Sequence, residues 1–206
     1  GKHVDIEAIQ KSGVQLRYSA VDVETGELVV YTEKDLVEHG IKPIAASASY
    51  PMAFPPVEIG SRWLTDGGVR ETAPLGDAIK AGCTELVVLP TRDPNEVEYK
   101  KRTEMGNVLE FGLRCLSIQF HEVLVNDIKA CRRHNEWSKL PEVLREKGLP
   151  EEQIEAICAE MQPRKHIDLT VIYPSKPLGT SLDFSGDMMK RQVDQGYEDA
   201  KKHFEG

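Results

Sequence analysis

The carboxylate of Asp66 is the side chain of this sequence best suited to catalysis. It lies in Thr65-Asp66-Gly67-Gly68, at the end of a short strand candidate over residues 62–65. Gly67 and Gly68 permit a sharp turn that aims the aspartate, since neither carries a Cβ that forbids positive φ. The alternative is a purely structural turn, because Asp-Gly is also a strong hairpin signal.

The four cysteines do not predict a metal site. Cys83, Cys115, Cys131 and Cys158 form no Cys-x-x-Cys pair and have no histidine at ligand spacing. Cys115 and Cys131 fall on the apolar stripe of one predicted helix, where a free thiol packs as a small hydrophobic group. Reduced core thiols indicate a cytoplasmic compartment, because disulfides persist in oxidising ones.

Composition and charge restrict the class of protein. The chain has 206 residues, 40% of them hydrophobic and 29% charged, which predicts one globular domain over residues 1–206. The net charge of −8 argues against nucleic-acid binding, which needs a basic face. Two basic clusters, Lys100-Lys101-Arg102 and Arg132-Arg133-His134, are interpreted as solvated helix faces, with lipid headgroup contact as the alternative. No apolar run approaches the roughly 18 residues of a membrane span.

The first third of the chain predicts a hairpin and two helices. Residues 14–23 and 28–31 read as strands joined by a turn at 24–27. Thr32 is expected to cap a short helix over 33–39 that ends at Gly40. The small residues of 44–49 predict a helix packed close to its neighbour, closed by Pro51.

The elements that follow predict an α/β sheet with helices on its faces. A helix from Pro74 to Gly82 leads to an apolar strand over 85–90, expected to be buried on both faces of a parallel sheet and to complete a βαβ unit with the strand at 62–65. Hydrophobic periodicity then predicts one long helix over 105–134. The remaining predictions are helices over 141–147 and 150–161, a strand over 167–173 and an amphipathic helix over 187–204.

The segment around Asp66 resembles patatin-like phospholipases. A small-residue helix ends at Pro51, a Phe54-Pro55-Pro56 loop and a short strand follow, and the Asp-Gly-Gly motif then precedes Pro74, which starts a helix. This order resembles the segment that carries the family's Asp-Gly-Gly or Asp-Gly-Ala motif. The resemblance is densest over residues 16–91. Residues 182–185 and 196–200 resemble the family's closing helix.

The resemblance implies a serine lipid acyl hydrolase that cleaves ester bonds of phospholipids or related acyl lipids. The implied fold is a three-layer α/β/α patatin-like fold, of which this chain is the C-terminal portion. Asp66 matches the aspartate of the family's Ser-Asp dyad, and Gly67 and Gly68 support it. A carboxylate near 3 Å from a serine hydroxyl can polarise it and accept its proton. The dyad implies neither a metal nor an organic cofactor.

The serine of the dyad is missing from the sequence. No serine has glycine at both the minus-two and plus-two positions, so the Gly-x-Ser-x-Gly elbow is absent, as is the Gly-rich oxyanion loop. Both are expected upstream of Gly1, and the chain is expected not to hydrolyse lipid by itself. We interpret it as an expressed or processed fragment; the alternatives are a piece completed by a separate chain and a homologue without catalysis.

The remaining polar and aromatic candidates are interpreted as structural. Arg70 and Glu71 are expected to be solvent pairs. Trp63 and Phe54 are expected to pack the loop against the core, with a lipid-facing role as the alternative for Phe54. A His-based triad is the competing idea for an esterase, but the histidines lack a partner motif and are interpreted as surface or helix-face residues: His3, His39, His121, His134, His166 and His203.

Partner expectations follow from the resemblance and from the missing upstream strands. The substrate is a phospholipid or other acyl-ester lipid, with transient membrane-surface contact. Loss of upstream strands would expose a sheet edge, which predicts self-association. The alternative function is a non-catalytic lipid- or protein-binding module on a patatin-like scaffold.

Overall fold

The structure is a computed structural model that describes residues 4–93, 99–161, 165–179 and 184–205. His3 and residues 182–183 of the expected closing segment lie outside the described residues. Contacts divide the chain into two compact units, Gly1–Thr72 with Val97–Leu124 and Ala73–Glu96 with Val125–Gly206. Helices and strands are mixed, as the α/β prediction requires.

The elements follow one another as helices and strands of very different length. In chain order they are α1 (Ile6–Lys11), β1 (Arg17–Asp22), β2 (Leu28–Thr32), α2 (Asp35–His39), α3 (Lys42–Ser47), β3 (Val57–Ile59), β4 (Arg62–Asp66), α4 (Leu75–Lys80), β5 (Glu85–Val88), α5 (Val108–Ser138), α6 (Leu140–Glu146), α7 (Glu151–Met161), β6 (Asp168–Val171) and α8 (Gly186–Glu205). Short 3₁₀ turns lie at Gly67–Val69 and Arg102–Glu104.

The first unit is built on a four-stranded antiparallel sheet in the order β2-β1-β4-β3. The predicted hairpin is confirmed as β1 and β2, with Ala20 opposite Val29. One face of the sheet carries the core of this unit, where the small side chain of Ala46 lets α3 approach closely. The buried cluster is Ala20, Tyr31, Ala46, Ile59 and Leu64. Small residues therefore serve the packing role predicted for them.

The expected helix cap at Thr32 is replaced by a reciprocal arrangement. The Thr32 hydroxyl accepts a hydrogen bond from the Lys34 N–H at 3.2 Å, and Asp35 Oδ2 accepts from the Thr32 N–H at 2.6 Å. The two bonds form a local turn ahead of α2, which begins at Asp35 and has no side-chain cap. Gly40 ends α2 with a positive φ of 61°.

The second unit contains a parallel pair, β5 and β6, with Leu86 opposite Leu169. The predicted βαβ unit is wrong, because β4 and β5 belong to different sheets and β5 pairs with β6. Burial of β5 on both faces is also wrong: Leu86 and Val88 are buried, while Val87 is exposed. The apolar run is thus a one-sided strand in which only alternate side chains are covered.

The long helices agree in number and place with the hydrophobic periodicity. The helix predicted over 105–134 is α5, which runs from Val108 to Ser138. The helices α6, α7 and α8 start and end within one residue of their predictions. Cys131 is buried in α5 as expected, but Cys115 is exposed, so its place on an apolar core stripe is wrong. The four cysteines are free thiols. Within the described residues, no helix has the length and apolarity to cross a bilayer.

Candidate functional site

Asp66 is the last residue of β4 and lies opposite Ala20 of β1. Its Oδ1 accepts a hydrogen bond of 2.8 Å from the Gly68 N–H, so the carboxylate caps the 3₁₀ turn that starts at Gly67. No donor among the described residues bonds Oδ2. One oxygen is therefore held by the turn, while the other keeps its capacity to accept a proton or a hydroxyl hydrogen bond.

The carbonyl of Ser49 holds the end of β4 in place. It accepts hydrogen bonds from the Asp66 N–H at 3.1 Å and from the Thr65 hydroxyl at 2.8 Å. Ser49 is itself buried, and its hydroxyl donates to the Pro55 carbonyl at 2.5 Å. The backbone under the carboxylate is thereby tied to both ends of the loop between α3 and β3.

Gly67 and Gly68 are needed for space, and the expected role of positive φ is wrong. Neither glycine has a positive φ. A Cβ on Gly67 would lie 2.3 Å from Ser19 Oγ and 2.5 Å from the Ser19 carbonyl oxygen, and a Cβ on Gly68 would lie 2.4 Å from the ring of Phe120. The backbone turns against β1 on one side and against α5 on the other, so any side chain would clash.

Burial raises the pKa of the Asp66 carboxyl above its ordinary range, and the hydrogen bond from the Gly68 N–H partly opposes this shift. Removal from water disfavours the charged form, whereas a donor to the carboxylate favours it. A carboxylate with a raised pKa is a stronger base, which is the property that a proton acceptor needs.

An apolar wall lies beside the turn. The ring of Phe120 in α5 covers Gly68, and Tyr50 packs on Phe120 with ring centroids 4.9 Å apart. The single proton of the Thr72 hydroxyl is shared between the carbonyls of Gly68 at 3.3 Å and Phe120 at 3.2 Å, which fastens the turn to the helix. The sequence did not identify Phe120 as part of the site, because the hydrophobic periodicity of the predicted helix indicates only that this residue faces a core.

The same loop contains a strained residue. Met52 has φ of 68°, the single non-glycine residue with positive φ in the described parts of the chain. Its methyl carbon packs on Gly112 of α5, 2.6 Å from the position that a Cβ on Gly112 would take. Such a conformation costs of the order of 1–3 kcal/mol and persists only where the surrounding contacts impose it. The loop between α3 and β3 is therefore held against α5 by specific packing.

The other predicted residues lie outside this arrangement. Arg70 is not a solvent partner of Glu71, because its guanidinium donates to the Gly26 carbonyl at 2.6 Å and fastens the hairpin turn. Trp63 and Phe54 are both exposed, so the expected packing of these rings on the core is wrong.

The histidines do not form a triad with Asp66. His39 stacks edge-on against Tyr31, and His134 Nε2 lies 2.9 Å from the Lys165 carbonyl oxygen. No histidine among the described residues hydrogen-bonds Asp66. The described residues also contain no group of three or more His, Cys, Asp or Glu side chains that could hold a metal ion.

Comparison with protein families gives a match over part of the chain. Residues 14–79 match the model of the family described as Patatin-like phospholipase. The matched segment contains the whole four-stranded sheet, the Asp66 turn and α4 as far as Ile79. No curated protein matches the chain.

Proposed function

We propose that this chain supplies the catalytic carboxylate of a patatin-like serine lipid acyl hydrolase. The observation that carries the proposal is the state of Asp66: one carboxylate oxygen is anchored by the Gly68 N–H, the other has no protein donor in the described residues, and burial raises the pKa. The family match includes this residue. We also propose that residues 1–206 form the C-terminal part of one three-layer α/β/α domain.

In the proposed reaction, Asp66 acts with a serine that lies outside these 206 residues. Oδ2 accepts the hydroxyl proton as the serine oxygen bonds to the ester carbonyl carbon. The ester C–O bond then breaks, the alcohol leaves with the proton, and water hydrolyses the acyl-serine. The mechanism uses neither a metal nor an organic cofactor.

The test requires the protein that joins this segment to a Gly-x-Ser-x-Gly serine. Asp66→Asn keeps the acceptor for the Gly68 N–H but removes the base, so kcat on a short p-nitrophenyl ester should fall about 10²–10⁴-fold. Asp22→Asn is the matched control, because Asp22 is buried and its Oδ1, like that of Asp66, accepts from a turn N–H, that of Glu24. Its kcat should stay within about threefold of the parent.

One observation favours a second function, a non-catalytic lipid- or protein-binding module. The Asp66 carboxylate already has a structural use as the cap of the 3₁₀ turn. If Asp66→Asn retains full turnover, or if no serine elbow accompanies this segment, the carboxylate is a turn residue only. Labelling of the longer protein by a fluorophosphonate probe separates the two cases, because it reports the activated serine directly.

A further inference from the structure

The first half of α5 presents an apolar stripe to solvent. Val108, Phe111, Cys115 and Ile118 follow one another at helical spacing and are exposed, with Val108 at 86%, Phe111 at 58% and Ile118 at 53%. A different face of the same helix packs within the first unit. On that face Gly112 lies against Met52, and Phe120 lies against Gly68. The helix therefore packs with one face and leaves a second apolar face uncovered in the described chain.

Basic residues accompany this stripe at its N-terminal end. Lys100, Lys101 and Arg102 precede α5 by a few residues, and Gly106 is tied back to the first turn of the helix by its N–H bond to Glu110 Oε2 at 2.9 Å. Lys100 and Lys101 lie outside any helix, so the interpretation of this cluster as a helix face is wrong. Residues 99–114 contain four basic and two acidic side chains, whereas the whole chain is acidic.

Aromatic residues stand at the same end. Tyr99 is 81% exposed beside the lysines, and Phe54 is exposed on the loop whose Met52 touches Gly112 of α5. Tyrosine and phenylalanine with neighbouring Lys and Arg are typical of surfaces that lie in the headgroup region of a bilayer.

We infer that the exposed stripe of α5 with the Lys100-Lys101-Arg102 cluster is a docking surface for an anionic lipid bilayer. The inference deepens the proposed function and in part rests on it, because the loop that touches α5 at Gly112 also fastens the backbone of Asp66 through Ser49. The apolar side chains enter the acyl boundary and the basic side chains meet anionic headgroups. A bilayer held there contacts α5, the helix whose Phe120 covers Gly68 beside the proposed catalytic carboxylate.

A lipid surface fits better than a second copy of the chain. The chain has a net charge of −8, so two copies repel each other on average. The local excess of basic residues beside the stripe is instead complementary to the anionic headgroups of a bilayer. A comparable exposed stripe on α8 provides the contrast: Val193 is 70% and Tyr197 is 66% exposed, yet α8 carries four Lys and Arg against five Asp and Glu. Apolar exposure alone is thus common to both helices, and the basic cluster distinguishes α5.

The experiment measures co-flotation of the 206-residue chain with vesicles of diether phosphatidylglycerol and diether phosphatidylcholine. Ether lipids cannot be hydrolysed at the acyl position, so binding is scored independently of turnover. Lys101→Gln with Arg102→Gln should weaken binding to the phosphatidylglycerol vesicles about 30-fold, since each basic residue near such a surface contributes about fivefold. Val108→Ser with Phe111→Ser should weaken it at least about tenfold.

Matched variants on α8 serve as controls. Lys201→Gln with Lys202→Gln removes two exposed basic side chains of α8, and Val193→Ser with Tyr197→Ser removes two exposed apolar ones, so both should leave binding within about twofold. A fluorophore on Cys115, with Cys83→Ser and Cys158→Ser, should shift its emission to the blue on the anionic vesicles. This second readout needs no substitution in the stripe, and Cys131 is buried.

Three results would overturn the inference. The first is absence of binding to anionic vesicles, and the second is an equal loss of vesicle binding in the α8 variants. The third is that Val108→Ser with Phe111→Ser abolishes a dimer seen by light scattering but leaves vesicle binding unchanged. The last would assign the stripe to a second copy of the chain. Failure of the proposed hydrolase function is scored separately, by p-nitrophenyl ester turnover of the longer protein without vesicles.

Discussion

At the scale of single residues, the site depends on what surrounds one carboxylate. The two oxygens of Asp66 have different environments: the Gly68 N–H holds Oδ1, and no described donor bonds Oδ2. The same turn is possible only because two side chains are missing, at Gly67 against Ser19 and at Gly68 against Phe120. Asp66 therefore supplies the carboxylate, and the two glycines that follow it supply the space that the turn needs.

The raised pKa of Asp66 predicts a pH-dependent effect of Asp66→Asn on stability. A carboxyl whose folded-state pKa is raised binds its proton more tightly in the folded state, so folding is penalised as pH rises through the window between the ordinary value and the raised one. The neutral amide escapes this penalty and can still accept from the Gly68 N–H. The variant should therefore gain stability relative to the parent as pH rises.

Urea unfolding of both proteins at several pH values between 3 and 7 tests this expectation. The difference in unfolding free energy should be smallest at the acidic end, where Asp66 is protonated in both states. A difference that does not change with pH would mean that burial does not perturb this carboxyl. Asp22→Asn controls for the exchange of a turn-capping carboxylate for an amide, because Asp22 is buried and its Oδ1 accepts from the Glu24 N–H.

At the scale of elements, α5 is the most informative helix of the chain. Its first half is involved in the wall beside Asp66 through Phe120, and in the second unit it holds the start of β6 through Asn135. The Asn135 Nδ2 donates to the Ile167 carbonyl at 2.6 Å, and its Oδ1 accepts from the Ile167 N–H at 2.8 Å. One amide side chain therefore satisfies both polar groups of a buried backbone residue.

Loss of this amide is predicted to destabilise the second unit. Asn135→Ala leaves the Ile167 N–H and carbonyl without their partners, which should cost about 2–4 kcal/mol of unfolding free energy. Asn135→Asp keeps the acceptor for the N–H but loses the donor, so it should fall between the parent and the alanine variant at pH 7. Urea denaturation followed by far-UV circular dichroism measures both. Equal stability of all three proteins would show that water replaces the amide without cost.

At the scale of the whole molecule, the edges of the sheets are the feature with the largest consequence. In the described chain, β2 and β3 are the outer strands of the four-stranded sheet. Edge strands present unpaired N–H and carbonyl groups, which invite pairing with another chain. A further strand, from a longer protein or from a second copy of the chain, could pair with these N–H and carbonyl groups.

The isolated 206-residue chain is therefore predicted to self-associate through a sheet edge. Its weight-average mass by light scattering should rise with concentration, and Val30→Lys on β2 should lower it, because a charged side chain on an edge strand discourages pairing. Val193→Lys on α8 is the control, since it introduces the same charge away from any strand. A monodisperse monomer of the parent chain at all concentrations would contradict the prediction.

Local pattern was enough for much of this protein. The hairpin of β1 and β2, the long α5 and the amphipathic α8 were predictable because alternation and helical spacing are properties of neighbouring residues. The place of Asp66 at a strand end and its candidacy for catalysis were also readable, since Asp-Gly-Gly follows a short β-branched and aromatic run. These features need no knowledge of which distant segments meet.

Contacts between distant segments decided the rest. β5 pairs with β6, which lies far along the chain. Glycine is required at positions 67 and 68 because Ser19 and Phe120 leave no room for a side chain. Cys115 is exposed because its face of α5 is not covered. An apolar stripe reads the same in sequence whether it faces a core or solvent. The sequence by itself determined the elements and the candidate carboxylate, and the tertiary structure decided how that carboxylate is held, because hydrogen-bond partners and steric limits come from residues far apart in the chain.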